Sequence, residues 1–219
     1  RQVDYVLGDN APHAPTSFGK RETVSAIASD IALRMNENNT IEHVVIATGN
    51  ISSRQAMADM LKELRKSHQD AVIVARSQDG HGVYGLDATG RLVVLEKLET
   101  LAQVDQKLNA LRESGQYALS VYEYGAHYGV DSFSKRSEAF TVIVDENTTM
   151  TDFLQAIGRD RGKDGGFSDA HVVALDPTGE LAFTTTQEAR SFFDANEQRA
   201  ILTNNLAAAN RVVNNIPKD

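Results

Sequence analysis

The residues of this chain that could do chemistry gather in residues 117–162, where two arginines, Arg159 and Arg161, flank Asp160 just after Gln155 and Gly158. Upstream, a loop carries Gly129-Val130-Asp131, with His127 and Tyr128 beside it. An aromatic in such a loop can stack on a base, although an aromatic packed at a sheet edge is commoner. Arg159 and Asp131 also have a purely structural reading, as an ion pair tying a helix to a loop. A phosphate-loop look-alike, Ala14-Pro15-Thr16-Ser17-Phe18-Gly19-Lys20, lies near the start. A working loop of that kind needs Ser or Thr after Gly-Lys to hold magnesium, and Arg21 stands there. No hydrophobic strand leads directly into it, so a linker fits better. Asp145-Glu146 reads as a solvated carboxylate pair at a strand end. His13, His43, His68, His81 and His171 have no paired spacing for a metal, and no metal ligands are assigned. The absence of cysteine removes disulfides and thiolate chemistry without naming a compartment.

The elements that would position these groups follow from periodicity. Residues 117–122 and 140–144 are short apolar runs broken by Gly125 and Gly129, and read as strands. Thr151 is the expected N-cap of a helix whose inward face is Phe153, Leu154 and Ile157. Upstream, residues 23–35 form an amphipathic helix with Val24, Ile27, Ile31 and Met35 on one stripe. Residues 41–48 are a buried-strand candidate. Ser52 or Ser53 then caps a helix with Ala56, Met57, Met60, Leu61 and Leu64 inside, making a βα unit of a parallel sheet. Residues 71–75 are the next strand. Residues 83–86 and 91–95 flank Asp87-Ala88-Thr89-Gly90 as a β-hairpin, and a helix spans residues 98–111. Asp176-Pro177-Thr178-Gly179 predicts a second hairpin between residues 171–175 and 180–184; the shared turn pattern is a generic solution rather than a repeat. From Gln187 on the chain reads as helix. Phe192 and Phe193 anchor its first half; Leu202, Leu206, Ala209, Val213 and Ile216 stripe the second. That stripe either packs on the domain or binds a partner.

With 219 residues the chain accommodates one substantial α/β domain with a helical appendage. Its composition, 41% hydrophobic and 24% charged, is that of a globular protein, and no segment has membrane-spanning length or a signal pattern. A cytoplasmic protein without a membrane partner is expected. The start at Arg1 suggests a piece of something longer. Thirty acidic against 22 basic side chains give a net charge of −8, which disfavours, without excluding, nucleic acid as a partner.

The order of residues 117–162 resembles the end of the second RecA-like lobe of superfamily 2 helicases and related NTPases. In that family a strand leads to a loop ending in Gly-x-Asp, the fifth motif. A further strand follows, then a helix with Gln/His-x-x-Gly-Arg-x-x-Arg, the sixth motif. Gly129-Val130-Asp131 and Gln155-Ala156-Ile157-Gly158-Arg159-Asp160-Arg161-Gly162 are the counterparts. The resemblance spans about residues 22–175. It implies an α/β fold: a RecA-like parallel sheet flanked by helices, with β-hairpin excursions and a helical C-terminal extension. The implied division is a linker over residues 1–21 from a missing upstream region, the RecA-like domain over 22–185 and the extension over 186–219. It further implies ATP with Mg2+ as cofactor, bound only together with the missing N-terminal RecA-like lobe of the same protein. Arg159 would then meet the γ-phosphate, Gln155 would orient water or bridge motifs, Asp131 would approach ribose or an arginine, and Gly129 and Gly158 would shape the cofactor side. Arg161 is either a register-shifted finger or a surface arginine, because the family's second arginine falls at Gly162 here. Glu123 or Tyr124 stands where the family has a phosphate-contacting threonine, and a carboxylate there repels phosphate. The other reading is a degenerate RecA-like scaffold or protein-interaction domain of a larger protein, without nucleotide chemistry.

Overall fold

The computed structural model describes residues 17–126, 138–158, 170–175, 183 and 186–215. In chain order these form β1 (Ser17–Glu22), α1 (Val24–Arg34), β2 (Ile41–Ile46), α2 (Ser53–Leu64), β3 (Val72–Ser77), β4 (Gly80–Leu86) and β5 (Leu92–Leu98). Then come α3 (Leu101–Ser114), β6 (Ala118–Tyr122), β7 (Phe140–Val144), α4 (Met150–Ile157), β8 (Ala170–Leu175) and α5 (Thr186–Asn214). The strands make one mixed sheet in the order β1-β8-β7-β2-β6-β3-β4-β5. The first six of these pair in parallel; only β3–β4 and β4–β5 are antiparallel. The architecture is therefore α/β, a mostly parallel sheet with helices on both faces and a long C-terminal helix.

Strand alternation assigns the two faces. Val44, Ile46, Ile73, Leu119, Val121 and Ile143 point to the face covered by α1 and α2, where they meet Ile27, Ile31, Met57, Met60, Leu61 and Leu64. The opposite face holds two clusters. One lies under α3, with Ile41, Val72, Val74 and Ala118 against Val104, Leu108 and Leu111. The other lies under α4 and α5, with Val45, Val142 and Val144 against Phe153, Ile157 and Phe193. All six residues of β2 are buried, as a central strand covered on both faces requires.

Several local expectations are met. Ser52 caps α2 through its side chain, while Thr23 and Thr100, read in the sequence as lying within helices, prove to be the caps of α1 and α3. The Asp87 carboxylate builds the β4–β5 turn, accepting from the Thr89 and Arg91 amides at 2.8 and 3.0 Å, and Gly90 supplies the positive φ of 79°.

Other expectations give way. Ser17–Glu22 is not loop but an edge strand parallel to β8, so Ser17-Phe18-Gly19-Lys20 runs extended rather than as a phosphate loop. Leu98 ends β5 instead of opening a helix, and α3 starts three residues later behind Thr100. The second strand expected for the second hairpin falls on residues 180–184; β8 itself pairs with β7 on one side and β1 on the other. Those residues, Phe183 apart, lie outside the described part.

The cap of α4 is Thr149, not Thr151. Its hydroxyl accepts from the Asp152 amide at 3.1 Å while the Asp152 carboxylate returns to the Thr149 amide, a complete capping box on an eight-residue helix. Thr149→Ala is expected to cost about 1 kcal/mol. In thermal unfolding that is a drop of roughly 2–4 °C for a domain of this size; no shift would mean the cap contributes nothing.

Candidate functional site

In open α/β sheets ligands bind beyond the carboxyl ends of the strands, where neighbouring strands connect in opposite directions. Here that point lies between β2 and β7. The chain leaves β2 towards β3 and β6 on one side, while β7 and β8 lie on the other. The segment after β2 supplies Thr48, Gly49 and Asn50; the segment after β7 supplies Asp145 and Thr148.

These groups are spent on one another. Asp145 Oδ2 accepts from Thr48 Oγ1 at 2.6 Å and from Asn50 Nδ2 at 3.1 Å, and Oδ1 accepts from the Asn147 amide at 2.8 Å. Thr148 Oγ1 donates to the Ala47 carbonyl at 2.7 Å and accepts from the Asp145 amide at 3.0 Å. From α5, buried Asn196 donates to the carbonyls of Asp145 and Thr148 at 3.2 and 2.8 Å. The Tyr124 ring lies so close over Gly49 that a Cβ there would come within 2.8 Å of it. Beside this crevice Glu123 pairs with Arg54 at 3.0 Å, and Arg54 in turn lies 4.6 Å above the Tyr84 ring. Burial pushes the Glu123 carboxyl up, with Arg54 opposing. The expectation that Asp145-Glu146 is a solvated pair is thus half overturned: Asp145 is buried as the hub of a hydrogen-bonded knot, and Glu146 is exposed.

A second polar group, deeper in the sheet, fills the seam between the α3 cluster and the α4–α5 cluster. His43 on β2 touches Ser120 Oγ through Nδ1 and Glu138 Oε1 through Nε2, both at 2.9 Å. Arg76 on β3 donates to Ser120 Oγ at 2.8 Å, and Arg112 on α3 grips both oxygens of Glu138 at 2.7 Å. The carboxylate only accepts, so Nε2 carries the His43 proton and Nδ1 accepts from the Ser120 hydroxyl, which accepts from Arg76. His43, Ser120 and Arg76 are fully buried. The histidine, serine and carboxylate are the residue types of a hydrolase triad, but the serine has no exposed surface and its oxygen is held by a guanidinium. The arrangement is structural. On the other face Glu42, also buried, accepts from Arg34 Nε and Nη2 at 3.1 and 2.9 Å and from Thr141 at 3.0 Å.

Burial lowers the pKa of His43, and Arg76 and Arg112 add to this against the opposing pull of Glu138. The unfolded chain therefore takes up this proton more readily than the folded one. The stability tied to neutral His43 is complete above its ordinary value of 6.5 and is lost as pH falls towards the lowered folded value. Between those limits the slope is about 1.4 kcal/mol per pH unit. Urea unfolding of the chain and of His43→Gln should run parallel above pH 6.5 and differ by that slope as pH falls below it, with the variant the flatter; curves parallel below pH 6.5 would contradict it.

The structure places Gln155 half-buried in the last turn of α4 and Gly158 at its C-cap, with φ −65°, a conformation that does not need glycine. β7 and β8 are parallel, so α4 returns the chain from the carboxyl end to the amino end of the sheet, and Gln155 and Gly158 sit away from the β2–β7 crevice. Gly129, Asp131, His127 and Tyr128, together with Arg159 and Arg161, lie outside the described residues. Among the described residues no three His, Asp or Glu side chains group as metal ligands, and no helix is long and apolar enough to cross a membrane. His68 stacks on Tyr117 at 4.0 Å and faces the Ala32 carbonyl. The described residues do not by themselves fit ATP with Mg2+, since the Gly19-Lys20 segment is a strand and the crevice side chains are already paired.

The buried polar side chains that sequence reasoning passed over are Glu42, Arg76 and Ser120, and His43 was weighed there only as a metal ligand. Their signal was present: charged residues inside the apolar runs IEHVVI and VIVARS, which a strand covered on both faces tolerates only if they are partnered. No protein-family model, curated protein or solved structure matches this chain.

Proposed function

We propose that this chain is a non-catalytic RecA-like α/β module of a larger protein, serving as a scaffold and protein-interaction domain. One observation carries the reading. At the β2–β7 crevice, where a sheet of this kind would receive a nucleotide, Asp145, Thr48, Asn50 and Thr148 are bonded to each other and held from above by Asn196 of α5. A phosphate entering there would have to break these bonds and face the Asp145 carboxylate. The outer half of α5 agrees with an interaction role, since the apolar side chains Leu202, Leu206, Val212 and Val213 there are exposed.

The second reading, the second RecA-like lobe of a superfamily 2 helicase-like NTPase, is favoured by the succession of β6, β7 and a capped α4 in the order that the two motifs require. On that reading Arg159 completes an ATP site built mainly by an upstream lobe, and Arg161 is either a register-shifted second finger or a surface arginine. ATP hydrolysis by the longer parent protein separates the two. The module reading expects Arg159→Ala to leave any activity of the parent unchanged. The helicase-lobe reading expects a loss of roughly 10³–10⁵, the worth of an arginine at the transferring phosphate.

A further inference from the structure

α5 has 29 residues, and its two halves have different fates. Ala189, Phe193 and Asn196 are buried against the domain, whereas every residue from Ile201 to Asn215 is exposed except for main-chain contacts within the helix. At 1.5 Å per residue this leaves an arm roughly 22 Å long standing off the body. Helices of that length are marginal alone in water, and four asparagines from Asn204 to Asn214 weaken this one further.

The arm is not polar all round. Leu202, Leu206, Ala209 and Val213 follow one another at spacings of four, three and four, the period of a helix that pairs with another helix. Leu202, Leu206 and Val213 are 61%, 65% and 63% exposed. The face that packs on the domain, Ala189–Phe193–Asn196, would continue through Ala200 and Thr203. The arm's apolar seam is therefore rotated about one residue away from it and does not simply extend the intramolecular contact.

We propose that this seam pairs with the same seam of a second copy of the chain, antiparallel. Three features select that occupant and that orientation. Size matching is one: an antiparallel pair sets Leu202 against the partner's Val213 and Leu206 against the partner's Ala209, so each layer joins a larger to a smaller side chain, whereas a parallel pair sets Ala209 on Ala209 and leaves a gap. The flanks are another. Thr203, Asn205, Asn210 and Val212 border the seam without charge, and amides both donate and accept, so identical flanks satisfy each other and lack the complementary charges that select a different helix. Arg211, the one charged residue between Ile201 and Asn215, lies on the outer side. The third is net charge: at −8 per chain, two bodies repel, and an antiparallel arm pair puts them at opposite ends.

The buried area sets the strength. Three exposed seam side chains per copy, with Val212 on the flank, remove several hundred Å² in all, below the roughly 1,200 Å² of a standard stable interface. The dimer is accordingly weak and concentration-dependent. The pairing rests on the reading of the chain as an interaction module but fails separately from it, since a monomer could still bind a different protein.

Sedimentation of the whole chain from micromolar to millimolar concentration tests the pairing. A monomer–dimer equilibrium is expected, weakened at least tenfold by Leu206→Glu and unchanged by Asn204→Glu on the outer side. Both positions are exposed, so neither variant should disturb folding, and circular dichroism of the body checks this. A spin label on Asn214→Cys, unique because the chain has no cysteine, reads the orientation. Antiparallel arms separate the two labels by roughly 20 Å along the axis, and parallel arms bring them side by side. A monomer at all concentrations, a dimer indifferent to Leu206→Glu, or labels side by side would each overturn the proposal.

Discussion

Glu138→Ala should unfold this protein more readily than any surface change, by about 3–5 kcal/mol. That corresponds to a fall in melting temperature of roughly 6–20 °C. Among the described residues Glu138 is the carboxylate that bonds both Arg112 and His43, and its side chain is 7% exposed, that of Arg112 12%. Removing it strands a guanidinium and an imidazole N–H between two apolar clusters, a larger cost than the net worth of the intact group. The diagnostic is the double variant. Arg112→Ala alone should also be costly, yet Glu138→Ala with Arg112→Ala should cost much less than the sum, because the second change removes the charge that the first left unpaired. Additive losses, or a loss below 1 kcal/mol for Glu138→Ala, would mean that the group is solvated rather than buried.

Phe193→Ala is the other large effect, again about 3–5 kcal/mol. Its ring stacks on Phe153 of α4 at 4.2 Å and meets Phe183 and Phe192 at 5.9 and 5.2 Å, in the cluster that closes one face of the sheet. The loss also frees Asn196, one turn along, from the carbonyls of Asp145 and Thr148. Denaturant unfolding of Phe193→Ala beside Leu206→Ala gives the contrast. Leu206 is 65% exposed and its truncation should stay within about 0.5 kcal/mol at concentrations where the chain is monomeric. Equal losses at the two positions would show that the arm of α5 packs like its base.

Much of this fold is legible in the sequence, and the reasons are local. Ala56, Met57, Met60, Leu61 and Leu64 name the buried face of α2 because helical spacing leaves no other stripe, and Ser52 stands at its start. Residues 140–144 are unmistakably a strand. The β4–β5 hairpin follows from an Asp-x-Thr-Gly turn between alternating runs. A turn signal reports local chemistry, while strand pairing depends on which strands arrive from elsewhere. β1 was illegible for a related reason: a parallel edge strand is defined by β8, more than 140 residues away, and its own sequence, SFGKRE, has neither an apolar run nor alternation.

The site was harder to read than the fold. His43, Ser120, Arg76 and Glu138 come from separate strands and a loop, so no spacing announces them; only the sheet order brings them together. The arginines that drew attention by spacing, Arg159 and Arg161, lie outside the described residues. Gly158, expected from the resemblance to shape the cofactor side, has an ordinary helical conformation.

Binding of ATP with magnesium by this chain, followed calorimetrically and by thermal shift, bears most directly on the central claim. If the β2–β7 crevice is closed by its own side chains, ATP at 1 mM produces no binding heat and leaves the melting temperature unchanged. A dissociation constant of about 10 µM would instead stabilise the fold by about 2.7 kcal/mol at that concentration. Such a shift, lost in Asn50→Ala, would contradict the account and make the crevice a nucleotide site.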